Sequence, residues 1–134
     1  MSAVSRLLLD THAFLWFVFD DPKLPPETAE RLEDPGVEKL LSTVSLWEIA
    51  IKSQIGKLGL GMTLESFLDR HVLGVELTLV DLELPHLVAY SNLPLHHRDP
   101  FDRMLIAQAQ TLAVPIVTGD SALSGYAVQT LWIA

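Results

Sequence analysis

A chain of 134 residues with 49% hydrophobic content suits one compact domain around one core. The absence of cysteine excludes disulfides, zinc–thiolate centres and cysteine nucleophiles, and fits a reducing, cytoplasmic setting. A formal net charge of −8, from 9 Lys+Arg against 17 Asp+Glu, argues against a broad basic face that grips nucleic acid. It leaves room for an enzyme whose excess charge is offset by bound divalent metal, or for a basic protein partner.

Met1-Ser2-Ala3-Val4-Ser5-Arg6 carries one basic residue and only a short apolar run after it, so it does not read as a signal peptide. No stretch approaches the ~20 apolar residues of a membrane span, and the chain is expected to be soluble. Ser5 to Asp10 is a continuous apolar run ending in a carboxylate, the pattern of a strand covered on both faces. A helix is expected from Asp10-Thr11 through Phe19, ended by Asp20-Asp21-Pro22, and an acidic, largely exposed one from Glu27 to Glu33. Lys39 to Val44 predicts a second strand, and Ser45 a cap for a helix reaching about Ile55. Leu64 to Leu73 reads as one helix with Gly74 beyond it. Val75 to Val80 alternates like a strand, and Asp81 to Ser91 is helical from about Glu83 or Leu84 because of Pro85. A helix from Pro100 to Ala113 leads into a strand over Val114 to Thr118, and Val128 to Ile133 predicts the last strand. Strands alternating with helices, without repeats or linkers, predict an α/β fold with a mainly parallel sheet of four or five strands.

The helix that starts at Asp99-Pro100 poses the sharpest question. Asp99 stands at the N-cap position and Pro100 at the first helical one. At about 100° per residue from Phe101, Asp102 falls near 100°, between Ala109 at about 80° and Ala113 at about 120°. A carboxylate aimed into an apolar arc is costly unless something pairs with it.

Three further acids belong to the same edge. Asp10 ends the first strand and Asp120 follows the fourth, which puts both at the carboxyl edge of a parallel sheet. Glu48, in the first turn of the helix after the second strand, leaves that edge as well. Asp102 opens a helix that runs antiparallel into the fourth strand, so it too starts there. Four carboxylates from separate segments raise one another's pKa values or repel unless a cation joins them. Mg²⁺ takes such oxygen ligands and keeps positions open for substrate phosphate.

Each acid also has a purely structural role open to it. Asp10 can cap the following helix, Glu48 can pair with Lys52 at i,i+4, and Asp120 can be a turn residue beside Gly119. His12, His96 and His97 lie near the rim without zinc-pair spacing and read as surface or supporting residues. Lys52, Lys57, Arg98 and Arg103 are the cations placed to meet a phosphate backbone. Trp16, Trp47 and Phe101 have core packing as their default role, with base stacking as the alternative.

Four blocks together resemble a known family. They are Leu8-Leu9-Asp10-Thr11-His12, Ser45-Leu46-Trp47-Glu48-Ile49-Ala50-Ile51-Lys52, Arg98-Asp99-Pro100-Phe101-Asp102-Arg103-Met104-Leu105-Ile106-Ala107-Gln108-Ala109, and Val117-Thr118-Gly119-Asp120. In this order the chain, from about Leu7 to Trp132, resembles PIN-domain ribonucleases, specifically the VapC-type toxins of toxin–antitoxin pairs. The resemblance implies a three-layer α/β/α sandwich and Mg²⁺- or Mn²⁺-dependent cleavage of RNA. It also implies a homodimer and inhibition by a cognate antitoxin. Carried over by position, it implies Asp10, Glu48, Asp102 and Asp120 as catalytic and metal-binding residues, with Thr118 an auxiliary hydroxyl. Two rivals stand beside it: an Asp-dependent phosphotransfer domain, and a non-catalytic module that binds RNA or protein through the same acids. Against a phosphatase of the haloacid-dehalogenase type, Asp10-Thr11-His12 lacks a second Asp two residues on. Against a receiver domain, no Lys follows a late strand.

Overall fold

The computed structural model describes residues 6–128 and 130–132. Five strands form one sheet: β1 (Arg6–Leu9), β2 (Glu38–Ser42), β3 (Thr78–Val80), β4 (Ile116–Thr118) and β5 (Thr130–Trp132). Their order is β3-β2-β1-β4-β5, and every neighbouring pair is parallel. Six helices surround the sheet: α1 (Thr11–Val18), α2 (Pro26–Glu33), α3 (Thr43–Gln54), α4 (Leu64–Leu68), α5 (Leu84–Ser91) and α6 (Pro100–Leu112).

Strand alternation divides the core in two. Leu7, Leu9, Leu41 and Val117 face one layer with Phe14, Leu32, Ile49 and Phe67. Leu8, Leu40 and Ile116 face the other with Leu105, Ile106 and Ala109 of α6. Because both faces are covered, the strands read as unbroken apolar runs. The result is the expected three-layer α/β/α sandwich. Among the described residues no helix is long and apolar enough to cross a membrane.

Several boundaries differ from the sequence expectation, each for a local reason. Helix α3 starts at Thr43 because Ser42 is the cap, its hydroxyl accepting from Val44 N–H at 3.1 Å; Ser45 lies inside the helix. Strand β4 starts only at Ile116, since Pro115 has no N–H to give the ladder. Pairing in β3 covers only Thr78–Val80. The expected helix from Leu64 to Leu73 is α4 followed by a π-helical turn, Asp69–Leu73. Gly74 ends it, where a Cβ would lie 2.8 Å from the Arg70 carbonyl oxygen. Residues Met1 to Ser5, Gln129 and Ile133, on which the N-terminal expectation and parts of the first and last expected strands fall, lie outside the described residues.

Strand order fixes where a site can form. From β1 the chain moves outward to β2 and β3, then returns to lay β4 on the other side of β1. A crevice opens at such a reversal, outside the carboxyl ends of the strands. Here it lies between β1 and β4.

Candidate functional site at the carboxyl edge

Asp10 leaves β1 at this crevice and is buried, with 4% of its surface exposed. One carboxylate oxygen caps α1 by accepting from Ala13 N–H at 2.7 Å. The capping role and a place in the acidic cluster therefore coexist in one residue. Across the crevice Thr118 ends β4. Its hydroxyl bonds the Asp10 carboxylate and accepts from the Asp120 N–H at 3.0 Å, which ties the two acids to one side chain. Burial pushes the Asp10 carboxyl above its ordinary range, with the Asp120 charge adding to the effect, while Thr118, Ala13 and His12 oppose it.

Glu48 sits in the second turn of α3, one turn later than expected, because the helix begins at Thr43. It is nonetheless turned to the crevice and buried, at 3% exposure. Thr11 Oγ1 donates to Glu48 Oε1 at 2.7 Å and lies 2.9 Å from Ser45 Oγ. Lys52 Nζ bonds Glu48 Oε2 at 2.5 Å. The i,i+4 pair forms, but its acid is buried rather than on an exposed face. That hydrogen bond holds the Lys52 ammonium above its ordinary range, helped by the charges of Asp99 and Asp102.

At the start of α6 the two aspartates have different environments. Asp99 is the N-cap, its Oδ1 accepting from Phe101 N–H at 2.8 Å and Asp102 N–H at 3.1 Å. Asp102 turns inward, with 22% of its side chain exposed. Its carboxyl is pushed up to about 6, first by burial and then by the neighbouring charges of Asp99, Asp10 and Glu48. The hydrogen bond from His97 pulls the other way without cancelling them. The charge effects link Asp102 to Asp10 and Glu48, and Asp10 to Asp120.

His97 was assigned only a surface or supporting role from sequence, yet it joins two of the acids. Its Nε2 lies 3.0 Å from Asp102 Oδ2 and 3.3 Å from Asp120 Oδ2. Nδ1 accepts from the Arg98 N–H at 3.0 Å, so the ring proton of a neutral imidazole is on Nε2 and donates to the carboxylates. The loop is pinned by the His97 N–H, which donates to the Tyr126 hydroxyl at 2.7 Å. Thr11, Ser45 and Tyr126 are the supporting residues that sequence reasoning missed. For Ser45 a signal existed, since it precedes Glu48 by three residues on one helix face. For Tyr126 there was none, because the turn that carries it meets the His97 loop only in the folded chain.

Two other expectations are corrected. Arg103 does not meet solvent: it is buried at 8% exposure, its guanidinium 4.5 Å from the Tyr90 ring centre and its Nη2 donating weakly to the Leu93 carbonyl at 3.4 Å. Packing of α5 over that face of α6 removes it from the phosphate-facing set. Trp47 is not core but 63% exposed, with the Phe101 ring 5.4 Å away edge-on.

One oxygen each of Asp102 and Asp120, with His97 Nε2, lie within 4.8 Å of one another. Hard carboxylate oxygens, one of them on an acid whose proton affinity is raised by burial and then by like charges, make a donor set that suits a divalent cation such as Mg²⁺ or Mn²⁺. The imidazole presents its N–H rather than a lone pair, so in this geometry it supports the oxygens rather than adding a ligand.

The fold has counterparts among solved structures. The chain is similar to one of VapBC2 from Rickettsia felis bound to a DNA fragment from their promoter, with a TM-score of 0.72 at 15% identity, covering 96% of this chain and 99% of that one. It is similar to a chain of FitAcB from Neisseria gonorrhoeae, with a TM-score of 0.63 at 16% identity, covering 93% and 96%. A chain of a toxin–antitoxin complex from Klebsiella pneumoniae gives a TM-score of 0.65 at 14% identity, covering 96% and 98%. No curated protein sequence matches the chain. The sequence model of one family, the PIN domain, matches residues 7–129, and the chain belongs to the PIN domain family.

Proposed function

We propose that this protein is a cytoplasmic, metal-dependent endoribonuclease that hydrolyses RNA phosphodiester bonds, and that it is the VapC-type toxin of a toxin–antitoxin pair. The observation that supports the reading is the acidic crevice between β1 and β4, where Asp102 and Asp120 lie with His97 and where burial and the charges of Asp99, Asp10 and Glu48 push the Asp102 carboxyl up to about 6. Membership of the PIN domain family supports it, and the fold shared with toxin–antitoxin complexes supports an inhibitory antitoxin partner. A homodimer is part of the same reading.

Asp10, Asp102 and Asp120, with Glu48, would hold Mg²⁺ or Mn²⁺, which when bound offsets charge on the scissile phosphate and acidifies a water for attack. The chain's own residues prepare that chemistry. Thr118 holds Asp10 and the Asp120 backbone in one register. Thr11 and Ser45 restrict Glu48, and Lys52 keeps a positive charge beside it that an RNA phosphate also attracts.

The test is cleavage of single-stranded RNA by the purified chain with Mg²⁺ or Mn²⁺. Asp10→Asn and Asp102→Asn variants are expected to fold and to lose cleavage. Full activity in either, or undiminished activity in excess EDTA, overturns the proposal.

A further inference from the structure

Beside the acidic crevice lies a cavity of about 250 Å³ between α1 and the loop that follows α3. Its floor is apolar, formed by Leu15, Ile49 and Leu58, and its rim carries His12, Lys52 and Lys57. It adjoins the acids directly, because Lys52 bonds Glu48 and Thr11, which also lines the cavity, bonds the other oxygen of the same carboxylate. No carboxylate lines it, although the chain holds 17 acids against 9 Lys+Arg. The contrast with the hollow between α1 and α2 is informative. That one is walled by Asp20, Asp21, Glu30 and Glu33 and repels a phosphate backbone.

Local geometry builds the cationic wall. Gly56 adopts φ +76°, a left-handed conformation that closes the end of α3. The chain then folds back so that the N–H groups of Lys57 and Leu58 both donate to the Lys52 carbonyl, at 2.9 Å and 3.1 Å. Lys57 is thereby held beside Lys52 at the mouth, and Leu58 is turned onto the floor. Pockets for drug-sized ligands start at about 300 Å³, so this cavity suits a smaller, flat group.

We propose that this cavity is a nucleotide subsite: one unpaired base of the RNA strand beside the scissile phosphate lies on Leu15, Ile49 and Leu58 under His12, and Lys57 holds the adjoining phosphate. The inference rests on the ribonuclease reading and adds to it where the strand leaves the acids, on the Glu48 side. An apolar floor with a ring at the rim accepts a base by stacking, and a lysine pair at the mouth accepts the backbone.

The test uses the full chain with the inactivating Asp102→Asn change, titrated into a fluorescein-labelled single-stranded RNA in Mg²⁺ and read by anisotropy. Adding Lys57→Ala is expected to weaken binding on the order of fourfold at physiological salt and to lower the log K against log salt slope by about 0.7, the release of one phosphate's counter-ion. In the otherwise native chain, Leu58→Trp fills the cavity and is expected to change the base preference at one position flanking the cut, mapped by sequencing RNA ends. Melting curves establish that each variant is folded. Unchanged affinity, slope and cut pattern overturn the subsite while leaving the ribonuclease reading intact. Loss of antitoxin binding with RNA binding retained also overturns it and assigns the cavity to the protein partner. A parent chain that neither binds nor cuts RNA removes both readings.

Discussion

The two edges of the sheet use the same residue types to opposite ends. At the amino edge, Glu38 meets Arg6 at 3.3 Å and accepts from Thr78 Oγ1 at 2.9 Å, all of them exposed to water. At the carboxyl edge, Asp10, Glu48 and Asp102 are withdrawn from solvent and face one another, two hydroxyls, a histidine and one lysine. Solvated pairs of the first kind contribute about 0–1 kcal/mol. Buried like charges of the second kind lower stability and are kept for what they bind.

Removing one buried charge breaks the contrast most strongly. Asp102→Asn is expected to reduce RNA cleavage by at least about 100-fold while stabilising the metal-free chain. A carboxyl raised from 3.8 to about 6 corresponds to about 3 kcal/mol of disfavoured ionisation, an upper bound on the gain at pH 7. A higher melting temperature with lost activity is the signature to look for; a lower one contradicts the electrostatic account.

The sign of the pH dependence follows from the same group. Between the ordinary carboxylate value of 3.8 and about 6, the folded metal-free chain binds more protons than the unfolded one. This contribution is therefore fully present below pH 3.8 and is lost as pH rises through 6, and the raised Asp10 carboxyl acts in the same direction. Denaturant midpoints in EDTA are expected to carry this falling component, and Asp102→Asn to flatten it. At pH 7, Mn²⁺ at about 100 times its Kd adds about 2.7 kcal/mol to the wild-type chain and much less to the variant.

Thr11→Val leaves Glu48 Oε1 without its donor. The expected cost is about 1–3 kcal/mol of stability and a fall in cleavage of about 10-fold or more, read from melting and initial rates. The smallest effect belongs to the other edge: Glu38→Gln should stay within about 0.5 kcal/mol and leave cleavage unaltered. A large loss from Glu38→Gln would erase the distinction between the edges.

Much of this contrast was legible in the residues themselves. The unbroken Leu7-Leu8-Leu9 run announces a strand covered on both faces, and the Asp99-Pro100 pair announces a helix start. Asp102 could be separated from Asp99 by angle alone, because a helix fixes where each side chain points. What stayed hidden depends on contacts between distant segments. Arg103 looks solvent-facing on α6 until α5 supplies Tyr90 as a stacking partner. His97 meets Asp120 only because the turn after β4 brings Tyr126 under the loop before α6. The early start of α3 was masked by Thr43 and Val44, β-branched residues that suit a strand equally well until Ser42 caps the turn.

The place of β1 in the sheet has a consequence in time. Leu9 pairs with both Leu41 and Val117, so one side of β1 is paired early in synthesis and the other only 76 residues later (117 − 41). Asp10 emerges from the ribosome long before Asp102 and Asp120, and a contact between segments so far apart forms late. A chain still shorter than 120 residues lacks one of the four acids.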